Sequence, residues 1–168
     1  MGQIEKARVY AGIDVGKSGG IVFLDEHLNI YSLHTMPMIG KEYDIQELKN
    51  ILANPYLDIL HLAIENVHAI QGPTGNSSNF SFGLGKGILM GMVSGLEIPY
   101  TLVNPKTWQG IAWEGVTKQA DTKKTSLVAS KRLFPTESFL ATQRSRVPHD
   151  GLVDAALIGY YIALKFRG

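Results

Sequence analysis

No cysteine occurs among the 168 residues, which excludes disulfides, thiolate-ligated zinc, iron–sulfur clusters and thiol nucleophiles. That absence also suits a reducing compartment. Long apolar runs are missing as well. The longest strongly apolar stretch, Gly87 to Leu96, is too short for the ~20 residues of a membrane span, so no membrane partner is expected. Met1 to Arg8 is polar and charged and does not read as a signal peptide. An excess of one charge is also lacking: 16 Lys and Arg stand against 15 Asp and Glu, a net of +1 that announces no nucleic-acid partner. The remaining composition, 45% apolar and 18% charged, is that of a globular chain. At this length it reads as one domain over residues 1–168, large enough to bury about 70% of its unfolded surface without staples. The expected setting is the cytoplasm.

What is present is uneven. Asp25 to Glu65 carries seven acids and two bases, whereas Thr117 to Arg146 carries seven bases and two acids. A basic face of that kind can meet a polyanion even when the whole chain is nearly neutral. Its candidates for DNA contact are Lys118, Lys124, Lys131, Arg144 and Arg146, and a solvated surface is the plain alternative.

Hydrophobic patterning gives the order of elements. Val9–Val15, Ile21–Leu24 and Ile30–His34 are short apolar runs joined by polar turns, which predicts an antiparallel meander. Asp44–Ala53 has helical spacing with Asp44 as cap, and Leu60–Glu65 is a fourth strand. Ile70–Asn79 reads as a polar loop. In Phe80–Leu96, Gly87, Gly91 and Gly95 recur every four residues, a small-residue stripe on a helix that suits either packing within the subunit or a helix of a second copy. Tyr100–Val103 is a fifth strand. Thr122–Phe134 and Asp150–Phe166 are helices, the first with Leu127, Val128 and Leu133 expected inward. The order β-β-β-α-β-α-β-α-α predicts an α/β fold with a mixed sheet and helices on both faces.

Two phosphate-loop readings fail on spacing. Gly16-Lys17-Ser18 lacks the glycine that a P-loop requires five residues earlier, where Ala11 stands, and it joins strand to strand. Gly83–Gly87 has no strand before it. No nucleotide cofactor is expected.

The carboxylates carry more. Asp14 lies inside the first apolar strand and Glu65 ends the fourth. Asp150 and Asp154 are four apart on the last helix and project from one face. Acids are rarely buried without a partner. If the first and fourth strands are neighbours, the four converge, and an all-oxygen donor set suits Mg²⁺ or Mn²⁺. Asp150 also reads as a first-turn acid favoured by the helix dipole.

The ordered set Ala11–Gly16 (AGIDVG), Ile64–His68 (IENVH), Asn104–Trp108 (NPKTW), Asp121–Lys124 (DTKK) and His149–Ala155 (HDGLVDA) resembles the RuvC-type Holliday junction resolvases, especially small phage and bacterial members. The likeness runs from about Ala11 to Tyr161. It implies a ribonuclease-H-like five-stranded mixed sheet with its second strand antiparallel. It also implies a homodimer that nicks opposed strands of a four-way junction, in a bacterial cytoplasm or from a phage. Two divalent ions are implied, on Asp14, Glu65, Asp150 and Asp154, with His149 competing for the place of Asp150. A lysine facing the scissile phosphate is implied at Lys123, with Lys124 as its rival. Where such proteins wedge an aromatic ring into the junction, this chain has His68; Phe80 and Phe82 are alternatives. The implied catalytic residues are thus Asp14, Glu65, Lys123, Asp150 and Asp154. Two rival readings keep the fold and change the activity: Asp14-Val15-Gly16 with Ser18-Gly19-Gly20 also resembles the phosphate loop of actin-like sugar kinases, and the same opening occurs in longer transposases. A non-catalytic DNA-binding or structural homologue is the third.

Overall fold

The structure, a computed structural model, describes residues 5–66 and 76–167. Strands β1 (Ala7–Asp14), β2 (Gly20–Asp25) and β3 (Ile30–Thr35) form the expected meander. A two-residue hairpin, β4 (Met38–Ile39) and β5 (Glu42–Tyr43), follows around Gly40 at φ 61°. Then come α1 (Ile45–Leu52), β6 (Leu57–Glu65), α2 (Asn76–Gly95), β7 (Tyr100–Val103), α3 (Pro105–Ala112), α4 (Thr122–Leu133) and α5 (Asp150–Phe166). The main sheet has the order β3-β2-β1-β6-β7. β1, β6 and β7 are mutually parallel, and β2 runs antiparallel to both its neighbours, so only the second strand is reversed.

The central strands read as unbroken apolar runs because both faces of the sheet are covered. Val9, Ala11 and Ile13 of β1 pack with Leu48 of α1 and with Leu89 and Val93 of α2. Tyr10 of the same strand faces the other layer, made by Trp108 of α3, Ala129 of α4 and Leu152, Ala155 and Ile158 of α5. α5 lies directly on β1 because Gly12 has no side chain. A Cβ there would collide with the Ala155 carbonyl and the Gly159 amide, and one at Gly151 with the Ser18–Gly19 backbone. Asp44 caps α1 as expected, accepting from the Glu47 amide at 2.9 Å.

One register slip decides the site. Val9 pairs with Ile59 but Tyr10 pairs with His61, so Leu60 is the extra residue of β6. Beyond it Ile13 is level with Ile64, which leaves Asp14 and Glu65 on the same face at adjacent strand ends. Without the slip Asp14 would be level with Ile64 and the two acids would face opposite ways.

Several expectations are corrected. The residues read as a loop up to Asn79 are helical from Asn76, and 70–75 lie outside the described residues. The hairpin and α3 were not anticipated. On α4, Leu127 and Leu133 pack against the core as expected, but Val128 is 45% exposed, and the fully buried residues are Thr125, Ser126, Ala129 and Ser130. That small-residue face lets α4 lie close against α5, since the side chains at a contact set how near two helices approach. The Gly87/Gly91/Gly95 stripe points away from the sheet, where a Cβ at each glycine would meet nothing within 4 Å. The face of α2 that packs inward is Gly85, Leu89 and Val93. No described helix is long and apolar enough to cross a membrane.

Candidate active site

The C-terminal ends of β1 and β6 place Asp14 and Glu65 side by side, and α5 brings Asp154 over them. Glu65 is buried, and its Oε1 accepts from the Trp108 indole nitrogen of α3 at 2.9 Å. Burial raises the Glu65 pKa, against the hydrogen bonds from Trp108 and Asp14, which lower it. Asp14 is raised well above the usual carboxylate range. Burial is the largest cause, followed by the charges of Glu65 and Asp154, a hydrogen bond to Glu65, and the charge of Asp150. Asp154 is pushed up to about 6, by burial first; a Ser126 hydrogen bond opposes this, and the charges of Glu65 and Asp150 add to it.

These shifts share burial as their first cause, and for Asp14 and Asp154 the charges of neighbouring carboxylates add to it. The Asp154 Oδ1 atom is buried and accepts no hydrogen bond among the described residues. A buried anionic oxygen without a donor is costly, and a hard cation is the partner its chemistry fits. Asp150 stands at the rim, its Oδ2 taking a hydrogen bond from Lys123 Nζ at 2.7 Å, and both side chains are more than half exposed. Accordingly, among the described residues no three acids or histidines are closed around one point. The donor set fits a divalent ion in kind, with Asp14, Glu65 and Asp154 inward and Asp150 held aside by Lys123.

No protein-family model matches the sequence, and no curated protein matches it either. Solved structures do. T. thermophilus RuvC in complex with a Holliday junction substrate superposes with a TM-score of 0.64 at 16% identity, over 95% of this chain and 94% of that one. A second Thermus thermophilus RuvC structure gives 0.63 at 16% identity, over 95% of each chain. The yeast mitochondrial Holliday junction resolvase Ydc2 gives 0.58 at 15% identity, over 98% of this chain and 84% of that one. The chain has the RuvC fold.

Within that fold the remaining candidates separate. Lys123 reaches the acid cluster from the first turn of α4, where Asp121 caps the helix by accepting from its amide at 2.9 Å. Contact with Asp150 raises the Lys123 pKa, so it is firmly an ammonium. Lys124 is exposed, about 100° further round the helix, with no carboxylate in ion-pair range among the described residues. His149 is the N-cap of α5, its Nδ1 accepting from the Leu152 amide at 3.3 Å, an interaction that occupies the ring in folding the helix. Lys118, Lys131, Arg144 and Arg146 are all exposed. Lys131 is eight residues along α4 from Lys123, about 12 Å by helix rise. His68 lies outside the described residues. Phe80 is 75% exposed on α2, whereas Phe82 packs against the core.

Four site residues went unassigned in the sequence: Trp108, Asn66, Asn104 and Lys86. Trp108 had a readable signal, since a tryptophan in an apolar helix needs an acceptor for its indole N–H and a strand-end glutamate was the unpartnered acceptor. The asparagines lay in the IENVH and NPKTW motifs, but their amide chemistry suits turns and caps anywhere on a surface and assigned them no role.

The raised acidity of Asp154 gives a prediction with a definite sign. Its folded pKa, about 6, lies above the 3.8 of an unperturbed aspartate. Such a group costs the folded state nothing below the lower value and its full penalty, of order 3 kcal/mol, above the higher one. Stability of the metal-free protein should therefore fall as pH rises from about 4 to about 6. Asp154→Asn removes the ionisation, so in chelator it should melt above the wild type at pH 7, with a gap that closes toward pH 4. Parallel melting curves at all pH values would mean that Asp154 is not an unneutralised buried acid.

Proposed function

We propose that this chain is a divalent-metal-dependent endonuclease. It resolves four-way DNA junctions by paired symmetric nicks, leaving 5′-phosphate and 3′-hydroxyl ends. One observation carries this reading: in a RuvC fold, at adjacent strand ends, buried carboxylates with raised pKa gather beside an Asp154 oxygen that has no donor among the described residues. Mg²⁺ or Mn²⁺, two ions per site, would supply a water of lowered pKa and a counter-charge for the leaving 3′-oxygen. Asp14, Glu65 and Asp154 would hold them, with Asp150 joining on release from Lys123. Trp108 orients the Glu65 carboxylate by donating to its Oε1. Lys123, once free of Asp150, offsets negative charge growing on the phosphate during in-line attack. The exposed bases between Lys118 and Arg146 position backbone phosphates, giving binding that weakens with salt.

Paired nicks on opposed strands need two sites, and the outward Gly87/Gly91/Gly95 face of α2, with Phe80 exposed beside it, supports a homodimer there. A labelled synthetic four-way junction tests the whole reading. With Mg²⁺ the protein should cut two symmetric strands to ligatable ends, leave matched duplex intact and stop with chelator. Cutting that persists in chelator would remove the metal mechanism, and a single unpaired nick would remove the dimer.

A further inference from the structure

α2 and α5 lie on opposite faces of the sheet, and a second lysine reaches its catalytic edge from the α2 side. Lys86 Nζ donates to the side-chain carbonyl of Asn66, the residue that immediately follows Glu65. The Asn66 amide nitrogen in turn donates to Asn104 Oδ1 at 3.0 Å. Asn104 occupies the N-cap position of α3, yet its side chain makes no cap hydrogen bond. An N-cap asparagine ordinarily satisfies a free amide of the first turn. Here that oxygen is diverted to orient Asn66, and Asn66 orients the lysine.

The partners are neutral. Among the described residues no carboxylate lies within ion-pair distance of Lys86, whereas Lys123 on the other side of the edge is paired with Asp150. An ammonium held by a neutral amide oxygen keeps its full charge for an anion and gives up no ion pair on meeting one. It is also fixed in place before the ligand arrives, which lowers the ordering cost of binding. We propose that Lys86 is a substrate-positioning residue: held by the Asn66–Asn104 relay, it binds a phosphodiester of the DNA backbone beside the scissile one, across the sheet edge from Lys123. This rests on the nuclease reading, and it adds a second fixed cation so that the strand is gripped on both sides of the acids.

Lys86→Gln is the discriminating variant, because glutamine can still donate to Asn66 and so preserves a purely structural tie. Binding of a labelled four-way junction is titrated in chelator across a range of salt, and single-turnover cleavage is measured with Mg²⁺ at saturating protein. Lys86→Gln should weaken affinity roughly 3–10-fold and reduce the slope of log affinity against log salt by about one. The saturated cleavage rate should change less than affinity. Lys86→Arg should restore most of the loss, and Asn104→Ala should fall between, since the lysine is then present but unheld. Unchanged affinity and slope in Lys86→Gln, with wild type still cutting, would overturn the phosphate contact and leave the nuclease reading standing. A wild type that binds DNA without cutting, together with a lowered slope in Lys86→Gln, would keep the contact and end the nuclease reading. A wild type that binds no DNA would overturn both.

Discussion

Asp14→Asn should abolish junction cleavage while junction binding is retained. Asp14 sits at the end of the central strand, beside Glu65 by register and within charge range of Asp154 and Asp150. No other carboxylate of the set feels the other three in this way, so on the proposed reading it is the central holder of a divalent ion. Asparagine keeps the shape and loses the charge and one strong acceptor oxygen. Weakening an outer partner of a metal ligand costs about 10–100-fold. Losing the central ligand itself should exceed that, so a fall of more than ~10³ in single-turnover rate is expected. Affinity for the junction should hold or rise, because a carboxylate near a polyanion repels it. The fold should also hold: the substitution relieves a buried acid cluster, and Asp14→Asn should melt no lower than wild type in chelator. A variant that cuts within tenfold of wild type would remove Asp14 from the chemistry. One that fails to bind would mean it shapes the DNA surface.

Lys123→Ala should lower saturated cleavage by about two to three orders of magnitude with little change in junction affinity. The reason lies in when its charge is needed. In the free protein its ammonium is neutralised by Asp150 at 2.7 Å, so it contributes little to first contact with DNA. During attack the phosphate gains negative charge, and a cation already positioned at the cluster stabilises that state more than the ground state. Lys124→Ala is the control on the same helix turn. Its side chain points elsewhere and pairs with no described carboxylate, so it should weaken binding slightly, lower the salt slope by about one and leave the saturated rate unchanged. A rate defect confined to Lys124→Ala would exchange the two roles. Weakened binding from both, with normal rates, would assign the pair to the basic face and leave transition-state stabilisation to the bound ions.

Much of this architecture was legible in one dimension. Strands covered on both faces must be apolar at nearly every position, so Val9–Ile13 and Leu62–Ile64 stand out without any partner being known. An acid embedded at the end of such a run is conspicuous, and Asp14 and Glu65 were found for that reason. Asp150 and Asp154 were visible because a helix repeats about every four residues. By itself the sequence determined the order of the main elements and marked Asp14, Glu65, Asp150 and Asp154 as candidate acids.

It did not determine which of these meet. That Asp14 and Glu65 share a face depends on a one-residue slip at Leu60, and nothing local to Ile59–His61 marks it, since either register buries apolar side chains. Lys123 rather than Lys124 faces the cluster because α4 buries Thr125, Ser126 and Ala129 most deeply and leaves Val128 outside. The outward direction of the glycine stripe followed from which side of α2 met the sheet. The Lys86–Asn66–Asn104 relay joins residues up to 38 positions apart in the chain. Periodicity reports the face of a single element. Contacts between elements are set by packing, and only the tertiary structure could decide them.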